Sequence, residues 1–104
     1  MKDYKVTTVD YQEYLTDLKG AIFKILPLYE ESNDYLIEYI DNVIDEVIYV
    51  KVVIEELPHA VWYVKTLSNL TSLRVKANGD NHNSVKKKVL NTVNIIQKEL
   101  LELN

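Results

Sequence analysis

Apolar residues in the middle of the chain recur with heptad spacing, and this feature constrains the fold most. The intervals between them alternate between four and three residues. The row consists of Leu36, Ile40, Val43, Val47, Val50, Ile54 and Leu57, and a second row of Ile37, Ile44 and Ile48 widens it. Such spacing places apolar side chains on one face of an α-helix. We therefore predict a long, extensively covered helix over 33–57, with Ser32 or Asn33 as its cap.

A buried β-strand is the competing interpretation for residues 47–54. β-Branched residues dominate this stretch. They favour extended structure because branching at Cβ limits the rotamers that the side chain can adopt in a helix. No turn signal separates the stretch from the helical pattern before it, so we favour the helix.

The segment before this helix also has three-and-four spacing. Asp10 with Glu13 is typical of a helix start, and we predict a helix over 10–26. Its apolar face consists of Tyr11, Leu15, Leu18, Ile22 and Ile25. Gly20 weakens the middle of this helix, and Pro27 ends or kinks it because proline has no N–H to donate.

Two more helices are predicted in the second half of the chain. One begins at Pro58 and ends near Ala77, and the other begins at a Ser84 cap. The first presents Val61, Val64, Leu67, Leu70 and Leu73, and the second presents Val85, Val89, Val93, Ile96, Leu100 and Leu103. A polar loop connects them.

These segments predict an all-α fold, an antiparallel bundle of about four helices with a short extended N-terminal arm over 1–8. A chain of 104 residues fits one domain, so we expect a single helical-bundle domain over 1–104. Hydrophobic residues make up 47% of the chain and only four residues are Gly or Pro, which is enough apolar material for a core.

Several protein classes are disfavoured by composition. The chain has no cysteine, which removes disulfide scaffolds, cysteine zinc sites and thiol catalysis. No apolar run approaches the roughly 20 residues that a membrane-spanning helix needs, and the first residues do not resemble a secretion signal. We expect a cytoplasmic protein without a membrane partner.

Charge is separated along the chain. Residues 30–56 carry nine acidic side chains and one lysine, whereas residues 57–98 carry seven basic side chains and one acidic. Within the acidic half, Asp34, Glu38, Asp41 and Asp45 share one helix face, with Tyr35, Tyr39 and Tyr49 nearby. Three interpretations stay open: a solvated face partly neutralised by the last helix, a docking surface for a basic partner, and self-association of acidic and basic halves.

Candidate chemical sites are incomplete. Glu56 and His59 have metal-ligand spacing but lack further ligands, and Pro58 lies between them. Asn78, Asp80 and His82 resemble the start of a calcium loop, but Val89 stands where the bidentate carboxylate belongs. No nucleophile motif surrounds any serine. We therefore predict no catalytic residue, no metal and no cofactor.

The run Lys86, Lys87 and Lys88 is the candidate contact for an anion, although three consecutive helical positions point in different directions. Direct nucleic-acid binding is disfavoured because the chain as a whole is acidic. We expect a small noncatalytic protein-interaction or regulatory module of bacterial, phage or mobile-element origin. Its partner is another protein, with a homodimer among the candidates. The alternative is a nucleic-acid-associated or nucleic-acid-mimicking acidic regulator.

Overall fold

The computed structural model describes residues 8–53, 60–77, 79 and 81–102. The described residues form four long helices and one short one, with no strand among them, which confirms the predicted all-α fold. The helices are α1 (Thr8–Phe23), α2 (Ile25–Glu30), α3 (Leu36–Val53), α4 (Val61–Lys76) and α5 (His82–Glu102). The predicted arm lies outside the described residues, apart from Thr8, which is already helical.

The four long helices form a bundle. Their order around the core is α3, α4, α5 and α1, and α1 closes the circle by packing against α3. Each helix packs against its two neighbours, whereas α3 and α5 occupy opposite corners and do not pack against each other in the described residues. α1 and α4 are also diagonal, and they meet where Trp62 Nε1 donates to the Tyr11 hydroxyl at 2.9 Å. The side of the bundle formed by α4 and α5 therefore lies opposite the side formed by α1 and α3.

The predicted helix 10–26 is interrupted at Lys24, between α1 and α2, and Pro27 lies in the first turn of α2. The backbone ladder continues on both sides, with Lys24 N–H donating to Gly20 O and Leu28 N–H donating to Lys24 O. Pro27 cannot donate to the Phe23 carbonyl, because proline has no N–H. The chain continues as α2 to Glu30.

The turn between α2 and α3 is fixed by its backbone. Ser32 N–H donates to Tyr29 O and Asn33 N–H donates to Leu28 O, both at 3.1 Å, with Ser32 at a φ of 53°. This is the Schellman arrangement that ends a helix with a left-handed residue. Asn33 Oδ1 then accepts from Tyr35 N–H at 2.8 Å and Asn33 O accepts from Leu36 N–H at 3.1 Å, so of the two predicted caps, Asn33 fixes the turn that leads into α3.

α3 supports the heptad interpretation and rules out the strand over its described part, because Leu36–Val53 is helical throughout. Leu36, Ile40, Val43 and Val47 are buried, and Val50 is half-buried. The predicted continuation to residue 57 lies outside the described residues. Tyr63 of α4 donates its hydroxyl to Val47 O at 2.8 Å, which ties the middle of α3 to its neighbour.

The predicted apolar face of α4 is wrong at its beginning. Val61 and Val64 are 68% and 54% exposed, whereas the buried residues are Trp62, Tyr63, Thr66, Leu70 and Leu73. The physical reason is the repeated interval of three from Val61 to Leu73. Each such step turns about 300°, so successive residues drift around the helix instead of sharing one face.

α5 begins two residues before the predicted cap. Asn81 Oδ1 accepts from Ser84 N–H at 2.8 Å, so Asn81 is the cap and the prediction of Ser84 is wrong. The Ser84 hydroxyl accepts instead from Lys76 Nζ at 3.3 Å. The predicted core face is largely correct, because Val85, Val89 and Ile96 are buried.

Gly20→Ala is expected to stabilise the protein by about 1 kcal/mol, because alanine favours the helix interior and restricts the unfolded chain. Gly20 is exposed, and an added Cβ would have no neighbour within 4 Å. Urea unfolding followed by circular dichroism measures the change. A loss of stability would show that the backbone at Gly20 is not regular helix.

Candidate interaction surfaces

The outward side of α3 presents a continuous exposed row. Tyr35, Glu38, Asn42, Asp45 and Tyr49 recur at intervals of three and four, and every one of them is exposed. We call these five residues the α3 outer face. Tyr35 and Tyr49 are 69% and 68% exposed and are separated by about 21 Å of helix. Exposed aromatic rings bracketing acidic side chains are a composition common at protein interfaces.

Tyr39, which the sequence grouped with this surface, is turned toward α1. Its hydroxyl donates to Ala21 O at 2.7 Å, and its ring packs against the core. Burial raises the pKa of Tyr39, since the phenolate would lose its hydration there. Tyr39 therefore joins two helices.

Asp41 is paired with a basic side chain of the neighbouring helix. Arg74 of α4 donates to both of its carboxylate oxygens, through Nε and, at 3.1 Å, through Nη2. The hydrogen bond to Asp41 raises the pKa of Arg74. Both side chains are nearly half exposed, so the pair contributes little to stability. The sequence missed Arg74 as the partner, although a short connection between antiparallel helices could have suggested it.

Neutralisation of the acidic row by the last helix, one of the open interpretations, does not occur in the described residues. α3 and α5 lie diagonally across the bundle and have no close backbone contact over their described lengths, and the α3 outer face points away from the core that they share. Asp34, Glu38 and Asp45 are exposed. Their mutual repulsion is therefore screened by solvent.

A groove with basic instead of acidic side chains runs between α4 and α5. Lys65, Ser68 and Asn69 line it from α4, together with Val64. Asn91, Asn94, Ile95 and Lys98 line it from α5. No lining residue is acidic. We call this feature the α4–α5 groove, and its two lysines, Lys65 and Lys98, were not singled out from the sequence.

The predicted anion contact, Lys86, Lys87 and Lys88, does not form a single patch. Lys86 and Lys87 are exposed, whereas Lys88 is half-buried. At 100° per residue the three point to different sides of α5. Only Lys88 falls in the row with Asn91, Ile95 and Lys98, at intervals of three and four, on the side of α5 that faces α4.

The remaining candidate sites are only partly described. Glu56, His59, Asn78 and Asp80 lie outside the described residues, whereas His82 Nε2 lies 2.8 Å from Glu30 Oε2 and joins α5 to α2. In the described part of the chain, no group of three or more His, Asp or Glu side chains could hold a metal ion.

None of the helices, as far as residues 8–53, 60–77 and 81–102 show, is both long and apolar enough to cross a membrane. No protein-family model, no characterised protein and no solved structure matches this chain.

Proposed function

We propose that this protein is a noncatalytic binding module that recognises a basic surface of a partner protein through the α3 outer face. The observation that carries the proposal is the pair of exposed tyrosines, Tyr35 and Tyr49, at the two ends of a row containing Glu38 and Asp45. The rings supply apolar contact area and the carboxylates supply charge selectivity.

The helix that bears this face is held rigidly, which favours binding. Its opposite side contributes Ile40, Val43 and Val47 to the core, and Tyr39 and Tyr63 fasten it to α1 and α4 by hydrogen bonds. A preorganised surface loses little conformational entropy on association. The partner therefore meets side chains that already stand at fixed intervals.

The alternative of a regulator that mimics nucleic acid concerns the same surface. A row of carboxylates can compete with phosphates for the basic side chains of a nucleic-acid-binding protein. In that case the partner is still a basic protein, and the α3 outer face is still the contact. The cytoplasmic location and the phage or mobile-element origin stay predictions from the sequence.

Affinity capture from the native host tests the proposal. We expect wild-type protein to retain a basic partner that the double variant Tyr35→Ala/Tyr49→Ala loses, with recovery reduced at least about tenfold, because aromatic residues at such positions carry much of the binding energy. The matched control is Val61→Ala/Val75→Ala, two equally exposed positions on α4.

Circular dichroism on all three proteins shows whether the fold is retained. Equal recovery by the tyrosine variant and the wild type would place the binding surface elsewhere. Loss of the partner by the α4 control alone would do the same.

A further inference from the structure

The α4–α5 groove has a regular polar lining. On α5, Asn91, Ile95 and Lys98 line the groove at intervals of four and three, and Lys88 lies three residues before Asn91 in the same row. On α4, Lys65 and Asn69 lie opposite the far end of that row, where Lys98 also lines the groove. Half-buried Ile95 and exposed Val64 contribute apolar side chains to the lining. A groove lined by apolar, amide and cationic side chains, without a carboxylate, suits an acidic helix with apolar side chains.

The same chain carries a helix of that description on its other side. Residues 8–53 hold ten acidic side chains and three lysines, whereas residues 60–102 hold seven basic and three acidic. Because the α4–α5 side of the bundle lies opposite the α1–α3 side, each copy presents a basic face and an acidic face in opposite directions. Arg74 and Asp41 pair across α4 and α3, but the α3 outer face and the α4–α5 groove lie on opposite sides of the bundle and cannot pair with each other within one chain.

The dimensions of the two faces agree. From Glu38 to Asp45 is seven residues of α3, and from Asn91 to Lys98 is seven residues of α5, about 10 Å in each case. Tyr35 and Tyr49 lie beyond the two ends of the stretch from Glu38 to Asp45, where they can contact the apolar side chains of the groove. The match extends over about two turns of helix on each side.

We propose that the α4–α5 groove receives the α3 outer face of a second copy of this chain. This inference rests on the proposed function, since it names the partner of the same acidic, tyrosine-bearing surface. Lysines at the groove edges pair with Glu38 and Asp45 of the incoming copy, and the tyrosine rings lie over Val64 and Ile95.

The arrangement has a consequence for assembly. An interface between two different faces is heterologous, so each bound copy leaves one acidic and one basic face open. The average mass therefore rises with concentration beyond that of a dimer, unless the copies close into a ring. A two-fold homodimer built on either face alone would bring like charges together.

Charge-reversal variants test the inference. The acidic-face variant is Glu38→Lys/Asp45→Lys, and the groove variant is Lys65→Glu/Lys98→Glu; all four residues are exposed, so the fold is expected to survive. In sedimentation at about 50 mM salt, we expect wild-type mass to rise with concentration and each variant to associate at least about tenfold more weakly. An equimolar mixture of the two variants is expected to regain association, because each then offers the charge that the other lacks.

The control is Lys24→Glu/Lys86→Glu, which reverses two exposed lysines outside the groove and is expected to associate like wild type. A monomeric wild type, a mixture that stays monomeric, or a control that fails like the groove variant would overturn the inference. The inference would also be overturned if the wild type bound duplex DNA without self-associating and the groove variant lost that binding, since the groove would then hold nucleic acid. In each of these cases, capture of a host partner through Tyr35 and Tyr49 would leave the proposed function standing.

Discussion

Val47→Asp is expected to unfold the protein, whereas Tyr49→Lys, two residues further along α3, is expected to leave its helicity intact. Val47 is fully buried at the point where Tyr63 of α4 bonds to its carbonyl. A carboxylate there would lie among the apolar side chains of the core, and such a burial costs about 4 kcal/mol or more. A domain of this size has only about 5–15 kcal/mol of stability in total.

Tyr49 is 68% exposed, so its replacement is expected to change stability by no more than about 0.5 kcal/mol. Circular dichroism at 25 °C and thermal melts distinguish the two variants. A folded Val47→Asp protein with an unchanged melting temperature would show that α3 does not lie against the core as described.

Leu70→Ala is expected to cost about 3 kcal/mol, and Val64→Ala on the same helix less than about 0.5 kcal/mol. Leu70 is fully buried, so truncation loses apolar burial and leaves a cavity. Val64 is 54% exposed, and alanine is also the better helix former. The pair tests which face of α4 is buried.

Urea unfolding of both variants gives the two free-energy changes. Equal losses would support the face that the sequence predicted, with Val61 and Val64 in the core. A large loss for Leu70→Ala alone supports the face formed by Trp62, Tyr63 and Thr66.

The helical fold could be predicted because α3 repeats its apolar residues at alternating intervals, which keeps them on one face over many turns. α4 could not be predicted correctly by the same procedure. Its aliphatic residues follow an interval of three, and its real buried face includes Trp62, Tyr63 and Thr66, which are partly polar. The residue that caps α5 was missed because Asn81 and Ser84 both have side chains suited to the role.

The interaction surfaces were predictable in composition but not in geometry. The sequence placed Tyr39 and Asp41 on the acidic face, yet Tyr39 is bonded to the backbone of α1 and Asp41 to Arg74 of α4. Which tyrosine is exposed depends on the position of α1, and that depends on tertiary packing. The lysine run at 86–88 was chosen as the anion contact, and the groove was missed. The groove's signal in the sequence is the recurrence of lysine and asparagine along Lys65, Asn69, Asn91 and Lys98.

The central claim is that the α3 outer face is the surface through which this protein acts, and cross-linking in the native host tests it most directly. A photoreactive benzophenone amino acid is placed at Tyr49 or, as a control of equal exposure on α4, at Val61. We expect adducts from position 49 that disappear when Glu38→Lys/Asp45→Lys is added, and an adduct of twice the chain mass identifies a second copy as the partner. Adducts from position 61 with none from position 49 would contradict the account.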